Sequence, residues 1–140
     1  MTPEELKARA RRIAQELLTQ GDLAIAGEVF APGCMHHLPI GCTGTMGWVS
    51  TLRRAFPDLC AIVEDELAEG TTVAQCLTLV GTHDGPFMGN PPTGRRVSWQ
   101  MAVILRADHT GVFTAHWSVW DQLSLLHQLG AAPPLAALPP

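Results

Sequence analysis

The chain changes its hydrophobic period once, near Pro57, and that change decides what it can fold into. Ahead of it apolar residues recur at helical spacing; from Leu59 onward they alternate along β-branched runs broken by tight turns. Helices followed by an antiparallel meander define an α+β domain, with helices on one face of a curved sheet and a pocket between the layers.

Leu6, Ala10, Ile13, Ala14, Leu17 and Leu18 mark a first helix, for which Thr2-Pro3-Glu4-Glu5 supplies the N-cap, a first-turn proline and a capping-box glutamate. Gly21 ends it. Asp22 opens a second short helix through Phe30, stopped by Pro32-Gly33, and His36, His37 and Pro39 then fall in a loop. Trp48, Val49, Leu52, Ala55 and Phe56 mark a third helix, closed by Pro57. Strands are expected over 59–68, 71–82, 95–107 and 112–121, with turns at Glu69-Gly70 and Asp108-His109-Thr110-Gly111. The breaker-rich run from Gly85 to Gly94 reads as an ordered loop or a lip over the pocket, and Leu123, Leu126 and Leu129 suggest a last short helix. Residues 1–130 form one domain, and 131–140 a Pro/Ala-rich tail.

With 140 residues, 46% of them hydrophobic, the chain can bury a core without metal or disulfide staples. A net charge of -4 with no basic run beyond Arg9, Arg11 and Arg12 argues against nucleic acid as a partner. No apolar stretch reaches the ~18 residues of a membrane span, and the acidic start Met1-Thr2-Pro3-Glu4-Glu5 is unlike an export signal, so the expectation is a cytoplasmic protein. Cys34, Cys42, Cys60 and Cys76 are irregularly spaced and read as buried reduced thiols. Tyrosine is absent, which excludes phenol chemistry, and Lys7, the single lysine, lies on a solvated helix unsuited to a Schiff base.

Asp121 ends the run Phe113-Thr114-Ala115-His116-Trp117-Ser118-Val119-Trp120-Asp121, and period two places it on one face with Val119, Trp117, Ala115 and Phe113. Burial there disfavours a charged carboxylate and strengthens it as a base; equally, Asp121 directly precedes a helix and suits an N-cap. His116 has the opposite parity, with Ser118 and Trp120, so an ideal strand cannot aim both groups into one pocket. It reads either as a packed imidazole or as a catalytic one. His36, His37, His83 and His116 lack a carboxylate partner at metal-ligand spacing, so no metal is expected, and the pair His36-His37 reads as loop histidines with one lining a pocket. Trp48, Phe56, Trp99, Met101 and Trp117 suit either a plain core or a wide flat cavity for planar rings. Glu64-Asp65-Glu66 reads as an exposed strand face with at most one member turned inward.

The segments Ala55-Phe56-Pro57-Asp58-Leu59 and Val63 to Gly70, the long block from Gly81-Thr82-His83 to Gly94-Arg95-Arg96-Val97, and His116-Trp117-Ser118-Val119-Trp120-Asp121 together resemble the SnoaL-like polyketide cyclase family. The resemblance implies a cone-shaped α+β barrel of the nuclear transport factor and ketosteroid isomerase type, a deep hydrophobic pocket, and a homodimer or homotetramer. It implies an enzyme of antibiotic biosynthesis that closes a ring on an aromatic polyketide ester by aldol chemistry, without metal or cofactor. Asp121 matches the position of the family's acid/base aspartate, with His116 and His36 facing or bordering the pocket. The missing tyrosine departs from the pattern of such cyclases: either an indole N–H, a histidine or water takes its place, or the reaction is different. On the same cone a cofactor-free hydroxylase and a non-catalytic binding protein for a hydrophobic intermediate are the alternatives.

Overall fold

The computed structural model describes residues 1–37 and 44–131. Thr2 caps the first helix, α1 (Pro3–Arg12): its Oγ1 accepts from the Glu5 N–H at 3.2 Å, and the Glu5 carboxylate accepts from the Thr2 N–H at 2.7 Å. The expected single helix then changes character. Ile13–Thr19 winds as a π-helix, a rare form frequent at functional sites, and turns Ala14, Leu17 and Leu18 into the core. The Thr19 hydroxyl donates to the Ala14 carbonyl at 2.8 Å and accepts from the Ala61 N–H at 3.0 Å, tying this segment to the sheet. The short α2 (Ala24–Val29) follows, with the Asp22 carboxylate accepting from the Ala24 N–H at 3.2 Å.

Here the structure corrects the sequence reading. Phe30–His37 forms a strand, β1, and neither a helix end nor a loop. Pro32 and Gly33 are compatible with it because β1 is an edge strand whose register breaks between Phe30 and Met35. Helix α3 (Thr45–Ala55) buries Trp48, Val49, Leu52 and Ala55. Strands β2 (Cys60–Glu69), β3 (Thr72–Thr82), β4 (Arg96–Ala107) and β5 (Phe113–Trp120) form the expected meander, and α4 (Gln122–Gln128) closes the described chain. The sheet has five strands in the order β1-β5-β4-β3-β2, with β1 parallel to β5 and every other pairing antiparallel. It curves over the helices and remains open, an unclosed cone.

A bulge in β5 decides which side chains face inward. Arg106 pairs with Ala115 while Ala107 pairs with Phe113, so Thr114 is an extra residue and the alternation reverses across it. Phe113, His116 and Ser118 are consequently all buried, and Asp121 no longer shares the face of Phe113. A third register break, between Val63 and Asp65, leaves Glu64 and Asp65 exposed and half-buries Glu66. Burial works against the charged form of Glu66, but the Arg11 guanidinium at 2.6 Å and the Gln75 amide at 3.0 Å outweigh it and hold the carboxyl below its usual range.

The Gly85–Gly94 loop is packed rather than free. The N–H groups of Asp84 and Gly85 donate to the Ala55 carbonyl at 3.0 and 3.1 Å, Phe87 is buried, and a Cβ at Gly85 would overlap the Arg54 carbonyl oxygen. Among the described cysteines, Cys34 and Cys60 are half-buried and Cys76 is exposed, which corrects the expectation of uniformly buried thiols. Pro39, Cys42 and 132–140 of the tail lie outside the described residues.

Candidate active site

His116 stands on the inner face of β5 at 5% exposure, where it lines a narrow cavity between the sheet and the helices. The cavity measures about 20 Å³, room for roughly one water. The π-helical segment walls one side through Ile13, Ala14, Leu17 and Leu18, α3 adds Thr45, Trp48 and Val49, and the sheet contributes Gln75, Met101, His116 and Ser118.

The parallel pairing of β1 with β5 sets His36 opposite His116, and the two Nδ1 atoms lie 3.1 Å apart. At that distance one ring donates and the other accepts. The rings stand at 84° with Phe30 packed against both, 4.8 Å from His36 and 5.5 Å from His116 between centroids. Burial, and then the neighbouring His36 and His37, push the His116 imidazole down to about 4, so it is neutral at neutral pH. Burial lowers His36 as well.

Two donors around the same cavity stand without partners among the described residues: Thr45 Oγ1 and Trp48 Nε1, both buried and one helical turn apart on α3. The sequence reading missed Thr45, because nothing in its neighbourhood marks a hydroxyl at a helix start as anything but a helix-start residue. Gln75, also missed, is 4% exposed and borders the cavity while its amide reaches back to Glu66.

The other expected site residues are dispersed. Asp121 is exposed: its Oδ1 caps α4, accepting from the Ser124 N–H at 3.0 Å, and its Oδ2 makes no hydrogen bond among the described residues. It opens onto a groove of about 460 Å³ on the outer side of the sheet, beside Glu64, Gln100, Val119 and Trp120. That groove is wider than the inner cavity but mostly open to solvent, and no imidazole or unpartnered indole N–H lines it. Trp120 lies between the two places, lining the groove with Asp121 while its ring packs 5.1 Å from that of Trp48.

Trp48 and Met101 line the inner cavity. Phe56 and Trp99 are buried 5.1 Å from each other in the core and do not line it; Trp117 faces outward, stacked on His37 at 5.1 Å with the Arg106 guanidinium 5.4 Å away. His83 is fully buried and pins the Gly85–Gly94 loop by accepting from the Thr93 N–H at 3.2 Å; no residue of that loop lines the cavity. No cluster of three metal-ligating side chains occurs among the described residues.

An open curved sheet laid over N-terminal helices, with an imidazole and an indole turned into the space between, defines a small α+β cone domain. The model of the SnoaL-like polyketide cyclases matches residues 8–129, and the chain belongs to that family. Among solved structures it is similar to AclR from Streptomyces galilaeus, called a hydroxylase, at 31% identity and a TM-score of 0.84, covering 95% of this chain and 89% of that one. It is also similar to IdmH from Streptomyces antibioticus, called a polyketide cyclase, at 30% identity and a TM-score of 0.78, covering 90% of this chain and 99% of that one. TsrD from Streptomyces laurentii shares 27% identity with a TM-score of 0.79, covering 94% and 98%. No curated protein matches the chain. No helix among the described residues is long and apolar enough to cross a membrane.

Proposed function

We propose that this protein is a cofactor-independent enzyme that closes a ring on an aromatic polyketide ester by an intramolecular aldol reaction. The observation that carries the reading is the neutral His116 ring turned into a cavity that also holds the unpartnered Thr45 and Trp48 donors. In an apolar cavity such donors are strongest toward an oxygen that gains charge during reaction. Trp48 Nε1–H and Thr45 Oγ1–H hydrogen-bond the substrate carbonyl, taking the place of the absent tyrosine. His116 Nε2–H gives its proton to the aldol oxygen.

Asp121 is the base for the carbon-bound proton in this reading, through its free Oδ2. The family resemblance supports that role, and the helix cap occupies only the other carboxylate oxygen. A substrate touching both Asp121 and His116 must turn Trp120 aside and widen the cavity, since pockets for ligands of this size are commonly about 300–1,000 Å³.

The test is mass spectrometry of products formed from a carbonyl-activated anthraquinone ester, with and without oxygen, beside Asp121→Asn and His116→Gln. A product of unchanged mass that forms without oxygen and is lost in the variants supports the cyclase. The second reading, a cofactor-free hydroxylase in which the carbanion meets dioxygen, is favoured by the similarity to AclR; its mark is a product one oxygen heavier that vanishes anaerobically. A bound ester left unchanged under both conditions defeats both and supports a binding protein.

We further propose a homo-oligomer, with a second copy docked on the outer sheet face. Leu67, Ala74, Ile104 and Trp117 form one row of cross-strand neighbours there, and Leu67 and Ile104 are 62% and 44% exposed.

A further inference from the structure

We infer that His36 is a proton relay for His116, a positioning residue that refills the buried ring from solvent without making it a cation. The inference rests on the reading in which His116 gives a proton to a substrate oxygen.

The Nδ1 atoms of the two rings are 3.1 Å apart, so one proton lies between them. Two arrangements satisfy this contact. With the proton on His36 Nδ1, His116 is the Nε2–H form and presents a donor to the cavity. With the proton on His116 Nδ1, His36 carries its own proton on Nε2, and His116 Nε2 is a bare acceptor. Both keep the hydrogen bond and leave both rings neutral.

The passage between them is balanced. His116 loses its Nε2 proton to the substrate alkoxide, the His36 Nδ1 proton crosses to His116 Nδ1, and water protonates His36 Nε2. The hydroxide left in solvent is neutralised by the carbon-derived proton that Asp121 releases. The reverse passage resets the pair after product leaves: cavity water gives His116 Nε2 a proton, the His116 Nδ1 proton returns to His36 Nδ1, His36 Nε2 releases its proton to solvent, and the hydroxide leaves the vacated cavity and is neutralised by that proton.

Burial gives the relay its value. His116 is 5% exposed, and an imidazolium there would lack any carboxylate, because no acidic side chain hydrogen-bonds either ring among the described residues. For the same reason nothing locks one tautomer in place. His36, on the edge strand, is only half-buried and reaches solvent. Phe30 packs against both rings and keeps them in register.

The test is long-range proton–nitrogen NMR on protein labelled with ¹⁵N-histidine, in the parent, His36→Phe and His36→Gln. The parent is expected to show His36 and His116 in opposite neutral tautomers. Exchange of the His116 ring proton with solvent is expected to slow by about a hundredfold in both variants, the lower end of what a positioned proton-transfer group contributes. Glutamine keeps a polar partner for His116 but cannot hand a proton through, so it separates relay from mere support. Identical tautomers in the parent, or exchange at the parent rate in His36→Gln, overturns the relay. The readout needs no substrate, so failure of the ring-closure reading and failure of the relay are seen separately.

Discussion

The Oδ1 atom of Asp121 accepts a 3.0 Å hydrogen bond from the backbone N–H of Ser124, which makes this carboxylate the cap of α4 whatever else it does. Capping and catalysis therefore separate by substitution. Asparagine caps nearly as well as aspartate, so Asp121→Asn is expected to melt within a few tenths of a kcal/mol of the parent, whereas Asp121→Ala loses about 1 kcal/mol. If Asp121 is the base, both variants lose turnover by about a hundredfold or more. Full turnover in Asp121→Asn would reduce the residue to a cap.

Acid should weaken the fold through its buried imidazoles. His116 is held neutral, pushed from an ordinary 6.5 down to about 4 chiefly by burial, while the unfolded chain takes up its proton at the ordinary value. Stability is thus fully present above the unfolded value, falls as pH drops from about 6.5 to about 4, and levels off below, a loss of about 3 kcal/mol from this ring. His36 and His83, both lowered mainly by burial, act in the same direction. Denaturant midpoints measured across that window should show the slope, and His116→Gln should flatten it. A slope unchanged by the substitution would mean that the ring is not buried in its neutral form.

Removing an unpartnered buried donor should stabilise the resting protein and impair the occupied one. Thr45→Val keeps the side-chain shape and deletes a hydroxyl that has no partner among the described residues, so the melting curve is expected to move up by about 1 kcal/mol. Turnover on an activated ester is expected to fall by about a hundredfold, as for other donors aimed at a developing oxyanion. Trp48→Phe tests the indole N–H in the same way. A stability gain with unchanged turnover would remove both groups from the oxygen site.

The outer sheet face offers a check on assembly. Light scattering after size exclusion is expected to give a homo-oligomer for the parent and a monomer for Leu67→Glu combined with Ile104→Glu, since paired carboxylates in an apolar contact are strongly disfavoured. Both positions are exposed within the single chain, so the monomer should keep its secondary structure. A parent that runs as a monomer would leave the face uncovered.

Local patterns were legible in the sequence because they depend on neighbours in the chain. The capping box at Thr2 and Glu5, the buried stripe of α3, the turn at Gly70 and the alternation of β4 all follow from short-range periodicity and turn chemistry. The residues quoted for the family resemblance likewise sufficed to indicate the family that the chain matches over residues 8–129. The side on which each β5 residue faces was not legible, because one extra residue at Thr114 reverses the alternation and only pairing with β4 reveals it. The same limit hid β1, whose Pro32 and Gly33 read as breakers until an edge position beside β5 makes them harmless. His36 and His116 are 80 residues apart in the chain, so local periodicity could not announce their 3.1 Å contact. Sequence determined most of the elements, though not β1, and the family; the tertiary pairing of β1, β4 and β5 decided which titratable groups meet, because bulge and register are properties of two strands rather than of one.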